Sequence, residues 1–598
     1  MHINGRRVRY AVSAVAVAGV AALALSACTT SGSTGGSTSA KGGTVTVAVV
    51  NDLTSLNSQT PQGNLDTNGQ VGYLDGSYGT GFQYIDNNYK IVHDDKFGTF
   101  EKTSDNPLTV KYTLNKDDKW SDGQPITADD MVLAWAIASG HYDSAKFDAD
   151  GNVTSGTQYF AIAGSTAGVD STDFPTISND NRTITLKYAK PYVDWELVNP
   201  IAQPAHIVAK KAGLSSAADL TKLLKSLPKG DPANPQQPDP TLKKAADFVN
   251  TGYDITAFPT DKDLLVSSGA FVPAAWTPGQ SITMERNKYY AGGLQPNVDK
   301  VIFRIIPDAN AQVTALQNGE VDIINPQASA DTLNALKQTS AKVLTGDQAS
   351  YDHLDLNFGS PTFQDPKVRE AFLKTIPRQQ ILDSIVTPVN PKAKVLDSQI
   401  WLPNQQPEYG NTIKANGSDK YGKVDIEGAK ALLAGATPTV RILYNTKNPN
   451  RVDEFQAIQA SATKAGFKIV DAGSPDWSKL LPGGDYDASL FGWISPGAGT
   501  SQIPQLFTTN GGGNYNRFSA ANDDAVKTQT TLDKNELTKL EMNIDKTAFS
   551  EGYGLPLFQA PGVFGVNARV DGVKYNGNQN GPFWNFWQWT VKSSSTSK

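Results

Sequence analysis

Cysteine is all but missing: Cys28 is the only one in 598 residues. A lone thiol forms no internal disulfide, and it excludes Cys-x-x-Cys zinc ribbons, iron–sulfur clusters and a dithiol redox centre. Positive charge is also short, with 53 Lys and Arg against 59 Asp and Glu, net −6 and pI near 5.5. No cationic excess is available to neutralise phosphates, so nucleic acid is not an expected partner. The five histidines, His2, His93, His141, His206 and His353, form no HExxH and no pair at helical spacing. No metal site of standard spacing is therefore expected. GxSxG, P-loop and GxGxxG patterns are absent as well. No catalytic residue and no cofactor are assigned, and a role other than catalysis is expected.

What is present is a globular composition. Apolar residues make up 39%, and 52 glycines bring the share near the globular norm. The N-terminus reads as an address. Arg6, Arg7 and Arg9 precede the small, apolar stretch Ala11 to Leu25, too short to span a membrane comfortably but right for the apolar segment of a signal peptide. It runs into Leu25-Ser26-Ala27-Cys28, which resembles the bacterial lipobox and makes Cys28 the expected lipidation site. Without residues 1–27 the chain carries 50 basic and 59 acidic residues, net −9. Residues 28–43, nearly all Thr, Ser, Gly and Ala, read as a flexible tether. No later run of 18 apolar residues occurs, so the expected location is the outer face of a cell membrane, held by lipid.

Along the body, Thr44 to Val50, Leu108 to Leu114, Arg182 to Tyr188 and Val301 to Ile306 read as strands. Asp122-Gly123 marks a turn. Thr127 is a helix N-cap, with Asp129 and Asp130 in the first turn and Met131, Ala134, Trp135 and Ala138 at helical spacing. Leu214 to Asp263, polar and rich in proline, reads as a surface excursion with helical pieces. Asp365-Pro366 opens a helix. Val440 to Tyr444 and Phe467 to Val470 flank the helix Glu454 to Ala465 as a βαβ unit, and Tyr486 to Trp493 is a further strand. Strands alternating with helices at irregular spacing predict a mixed α/β chain with at least two lobes.

Several motifs occur together. They are Trp120-Ser-Asp-Gly-Gln-Pro-Ile-Thr-Ala-Asp-Asp130, Gln317-Asn-Gly-Glu-Val-Asp322 and Leu356-Asn-Phe through Asp365-Pro-Lys-Val-Arg369-Glu-Ala-Phe372. Gly484-Asp-Tyr-Asp487 with Gly492-Trp493, and Leu555-Pro-Leu-Phe558, complete the set. In this order, over about Thr44 to Trp589, they resemble the family 5 extracellular solute-binding proteins, the oligopeptide and dipeptide receptors of ABC importers. The resemblance implies a type II periplasmic-binding-protein-like flytrap of two lobes with an extra inserted domain (cluster C). The expected divisions are 44–77, 172–298 and 545–592 for domain I, 78–171 for the inserted domain II, 299–544 for domain III and 593–598 as a tail. It implies a monomeric receptor that closes on a peptide or peptide-like solute and delivers it to membrane permease subunits. An oligosaccharide receptor and a cell-envelope scaffold for lipoglycan synthesis are the alternatives. The motifs themselves read as turn, helix start and core.

In relatives an acid three residues after the Gly-Trp pairs with the peptide ammonium. Here that position is Pro496, so the ammonium has no partner there unless Asp476 or Asp485 replaces it. The expected ligand-facing set is Trp493, Trp477, Ser495, Pro496, Asn68, Tyr159, Phe558 and Gln559. The run Phe583 to Trp589, five aromatics in seven positions, is expected to be core, in a strand on domain I.

Overall fold

The computed structural model describes residues 42–147, 153–164, 166–494, 498–509 and 511–592. Cys28, the expected leader and the expected tether up to residue 41 lie outside them, as do Ser495 and Pro496. The described residues fall within one compact unit, Ser39–Lys598. The last two residues of the expected tether are part of the fold, since the Gly42 N–H donates to the Asn297 carbonyl at 2.6 Å and the Gly43 N–H to the Asp299 carboxylate at 3.0 Å.

A ten-stranded mixed sheet organises the chain. Numbered in chain order within this sheet, its strands are β1 (Thr44–Val49), β2 (Phe271–Thr277), β3 (Ser281–Arg286), β4 (Lys300–Ile305), β5 (Ile323–Ile324), β6 (Lys342–Leu356), β7 (Thr439–Tyr444), β8 (Lys468–Asp471), β9 (Ala488–Ile494) and β10 (Gly554–Val566). Their spatial order is β2-β3-β4-β1-β5-β10-β6-β9-β7-β8. β1 runs parallel to β4 and β5, and β7 parallel to β8 and β9. Parallel strands are covered on both faces, which is why β1 alternates Val45 and Val47, fully buried, with residues that are at most half-exposed. The long antiparallel pair β6/β10 stands between these two parallel groups and is shared by both. The result is a two-lobed α/β architecture.

Each lobe has its own core. The first gathers Val47, Tyr73, Phe271, Phe303, Phe583, Phe586 and Trp589; the second gathers Leu354, Phe372, Ile442, Ile458, Leu490 and Leu555. A third core, with Tyr112, Trp120, Met131, Trp135, Leu220 and Val249, fills a body built on a separate four-stranded sheet. That body includes the helices Ala217–Ser226 and Pro240–Thr251. The expected surface excursion over 214–263 is therefore mostly packed structure. Leu220 and Leu224, and Leu242, Ala245, Ala246 and Val249, fall at helical spacing and are buried, while Pro240 sits at a helix start capped by Asp239. The expected divisions at 171/172 and 298/299 part paired strands: 176–177 and 183–187 belong to the sheet of Leu108–Leu114, and β4 lies between β3 and β1.

The motifs expected to form a turn and a helix start do so. Trp120 is buried at the base of a turn closed by the Gly123 N–H on the Trp120 carbonyl at 2.9 Å. Thr127 and Asp130 form a reciprocal capping box on the helix Ala128–Ser139. The aromatic run Phe583 to Trp589 is core, but it folds as two 3₁₀ turns over Gly581–Gln588 with a kink at Asn585, followed by a strand of only two residues, Thr590–Val591. Phe583, Phe586 and Trp589, three residues apart, enter the first-lobe core together, which a strand's alternation would not bring about. Phe583 stacks on Phe303 at 4.6 Å and 10°. Phe583→Ala is expected to cost about 3–5 kcal/mol, read as a lower urea midpoint; an unchanged midpoint would contradict a core role for this ring.

Candidate functional site

The crossing of β6 and β10 is where the lobes meet. Their pairing runs regularly from Lys342↔Val566 to Asp347↔Pro561, breaks, and resumes at Tyr351↔Gln559. Gln348 to Ser350 therefore lack strand partners on β10. Two groups outside the ladder serve them: the Gln559 side-chain amide donates to the Gln348 carbonyl at 2.7 Å, and the Ala349 N–H donates to the Gly577 carbonyl at 2.8 Å. Just past the break, Tyr351 is the partner of Gln559 on one side and of Trp493 on the other. Gln559, Tyr351 and Trp493 thus form one row across three neighbouring strands. Buried Oε1 of Gln559 and Nε1 of Trp493 are without a hydrogen-bond partner among the described residues.

Trp493 belongs to an aromatic wall. Its indole lies parallel to Tyr515 (6.1 Å, 6°) and to His353 (6.3 Å, 7°), and edge-on to Phe491 (5.3 Å). Trp477, first residue of the short helix Trp477–Leu480, reaches the same wall through Phe491 at 5.9 Å. The structure thus joins the two expected tryptophans, both half-buried, and adds Phe491, Tyr515 and His353, which sequence reasoning missed. A signal existed: Tyr351, His353 and Asp355 alternate along β6, and Phe491 and Trp493 alternate along β9.

Behind the wall lies a buried charge cluster. Arg451 pairs with Asp352 and with Glu454 (3.0 Å), all three buried. Burial pushes the Glu454 carboxyl up, and the Arg451 guanidinium pulls it partly back. His353 Nδ1 sits 2.8 Å from the Asp355 carboxylate, also buried. Gly492 faces Asp352 in register, and a Cβ there would stand 2.9 Å from the Asp352 carboxylate and 3.0 Å from Arg451. The glycine before Trp493 is thus the residue that lets the ion pair approach the strand.

The other expected residues are placed differently. Asn68, on the helix Asp66–Asp75, is buried, and its amide is spent inside the first lobe on the Thr54 N–H (3.0 Å), the Thr54 hydroxyl (2.9 Å) and the Gly63 carbonyl (2.9 Å). The Tyr159 hydroxyl accepts the Asp239 N–H at 2.8 Å. Phe558 is second-lobe core. Asp476 pairs with Lys479 (3.0 Å) and Asp485 with Arg441 (2.6 Å), so both acids that stood in reserve for a ligand ammonium are already ion-paired.

One carboxylate bridges the second lobe and the four-stranded body. Asp194 accepts the Thr500 N–H at 2.9 and 3.0 Å, and next to it the Val193 N–H donates to the Gln529 carbonyl at 2.9 Å. Burial pushes the Asp194 carboxyl up and these hydrogen bonds partly offset it. Glu541, buried on the helix Lys534–Glu551, is raised to about 8 by burial first, then by the charges of Asp194 and Glu408.

Three comparisons bear on this geometry. The sequence model of the bacterial extracellular solute-binding proteins, family 5 Middle, matches residues 97–515. The chain belongs to that family. It is similar to the oligopeptide-binding protein OppA of Mycobacterium tuberculosis, 24% identical over 81% of this chain and 74% of the relative. It also resembles the periplasmic oligopeptide-binding protein OppA of Escherichia coli, 22% identical over 77% of each. Among solved structures, the periplasmic EDTA-binding protein EppA superposes with a TM-score of 0.76 at 22% identity, over 93% of this chain and 98% of that one. AppA of Bacillus subtilis in complex with a nonapeptide gives 0.63 at 18%, over 93% and 100%. The fold is the two-lobed type II fold of these proteins. The family is one of extracytoplasmic solute-binding proteins, not of enzymes.

Glu541 supplies a pH test of this assignment of buried acids. A carboxyl held at about 8 when folded and near 4.5 when unfolded keeps an extra proton in the folded state between those values. Its contribution to stability therefore falls as pH rises through that window and is fully lost above it. Urea midpoints of the wild type should drop between pH 5 and pH 8.5 by more than those of Glu541→Gln. Parallel curves would refute the assignment.

Proposed function

We propose that this chain is a lipid-anchored extracytoplasmic receptor that takes a peptide or peptide-like solute between its lobes and delivers it to the permease of an ABC importer. The observation that carries the reading is the family match joined to relatives named oligopeptide-binding proteins over four fifths of the chain. The crossing supports it, since an aromatic wall and polar atoms of Gln559 and Trp493 that have no partner among the described residues lie beside it. Aromatic faces accept varied side chains, and polar atoms at the crossing suit a solute's main chain. Cys28 is the proposed lipid attachment. The strand pairing and the helix Pro240–Thr251 support a division into a first lobe of 44–77, 253–347 and 559–592, an inserted body of 78–252 and a second lobe of 348–558; the proposed receptor acts as a monomer.

Binding between lobes favours the closed state because only that state offers both walls to the solute. In this reading Asp194 is a closing contact from the inserted body to the second lobe. A hydrogen bond to a charged group is worth about 1.5–3 kcal/mol, so Asp194→Ala is expected to weaken solute binding by about 10- to 100-fold and to enlarge the radius of gyration seen by X-ray scattering. Unchanged affinity and radius would remove Asp194 from closure.

The receptor role itself is tested by thermal shift with tri- to hexapeptides and with oligosaccharides. A binding solute at 100 times its Kd adds about 2.7 kcal/mol. A shift with peptides is the expected result. A shift with sugars alone would point to an oligosaccharide receptor, and no shift with any solute to the scaffold role.

A further inference from the structure

The second lobe offers no free acid around Trp493 among its described residues. Asp352 is paired with Arg451, Asp355 with His353, Asp476 with Lys479, and Asp485 and Asp487 with Arg441. The first lobe differs. Asp66 opens the helix Asp66–Asp75, and its carboxylate has no hydrogen bond or ion pair with any described residue. It lines a concavity with Ser58, Asn64, Leu65, Tyr78, Gln579 and Asn580. The side chains of Asn64, Tyr78, Gln579 and Asn580 likewise spend no hydrogen bond on the described chain, so five polar groups line one hollow with their capacity open to solvent or solute. Asp66 stands exposed at the rim of the hollow with Asn64, Tyr78 and Gln579, and the loss of water on its hollow side raises its carboxyl, although a helix start ordinarily favours the ionised form.

Strand direction says which way this hollow faces. β1 is parallel to β5, β5 antiparallel to β10, and β10 antiparallel to β6, so β1 and β6 run the same way. β6 runs out of the first lobe, through the break at Gln348 to Ser350, into the second. The C-terminal end of β1 therefore points toward the second lobe, and the Thr67 hydroxyl in the helix's first turn donates to the Asn51 carbonyl at 2.9 Å, two residues past β1, which puts the helix start at that edge. The segment that closes the hollow comes from the crossing itself: the Gly577 carbonyl accepts the Ala349 N–H at 2.8 Å, and the Gln579 carbonyl accepts the Gln70 side-chain amide at 3.3 Å.

We infer that Asp66 is the counter-charge for a free ammonium of the bound solute, held from the first lobe and flanked by Asn64, Tyr78, Gln579 and Asn580. The inference rests on the receptor reading above. It moves the recognition of positive charge from the lobe that carries the Gly-Trp pair to the opposite wall.

The test uses the full chain with a degenerate tetrapeptide mixture and the same mixture N-acetylated, followed by calorimetric titration with the tightest pair. The wild type is expected to prefer the free amine by about 10- to 100-fold. Asp66→Asn should lose that preference with its ligand-free melting temperature unchanged, and Asp66→Glu should restore part of it. A preference that survives in Asp66→Asn would overturn the role of Asp66 and leave the receptor reading standing, as would equal binding of both mixtures by the wild type. Failure of the wild type to bind either mixture at millimolar concentration would overturn the peptide reading and this inference with it.

Discussion

Two strands carry the sheet from one lobe into the other, and they cannot stay regularly paired where it turns. A continuous β6/β10 ladder would weld ten strands into one stiff sheet. Instead the pairing lapses at Gln348 to Ser350, and the groups set free there are met by a side chain (Gln559) and by a loop (Gly577). Buried backbone groups must be satisfied somewhere. Satisfying the Gln348 carbonyl and the Ala349 N–H from outside the ladder lets the pairing lapse without stranding those two groups. The row Gln559, Tyr351 and Trp493 lies at the first regular pairing after the lapse, so the residues at the base of the cleft are fixed by the sheet and not by mobile loops.

The Gly-Trp pair makes sense only with what lies on both faces of β9. On one face Trp493 stacks among Tyr515, His353 and Phe491. On the other, Asp352 and Arg451 press so close that Gly492 has no room for a Cβ. A buried ion pair stabilises little by itself, because desolvation offsets the attraction, yet breaking it by removing one partner is costly. The cluster therefore acts as a constraint. It ties β6 to the helix Pro449–Ala462, which carries Arg451 and Glu454, and so fixes the wall from behind.

What the sequence made legible was local. The N-cap at Thr127, the Asp-Pro start at Asp365 and the alternation of β1 depend on residues within a few positions of one another, and each appears in the structure. The helix after β7 begins at Pro449, five residues before its expected start, because Asn448 caps it and Pro449 sits at its first turn. Long-range matters were hidden. Nothing near Asn68 signals that Thr54 and Gly63 consume its amide, and nothing near β4 says that it pairs with β1, more than 250 residues earlier. Proline density suggested a surface excursion over 214–263, but the prolines punctuate two helices whose apolar spacing was the better guide.

Charge placement follows from the same logic of burial. Acids are numerous, yet those near the wall are consumed by structure, and Asp485 and Asp487 are both claimed by Arg441. An acid that recognises a cation must be walled enough to matter and unpaired enough to respond. Exposed ion pairs such as Asp476 with Lys479 are screened and already balanced. Asp194 is walled but spent on the Thr500 N–H, and its neighbour Glu541 is held protonated by the same burial. A neutral Glu541 removes the repulsion that two carboxylates would otherwise set against the contact between the four-stranded body and the second lobe. Proton uptake at Glu541 and the approach of Asp194 therefore favour each other, and this contact should be firmest below the pH at which Glu541 ionises.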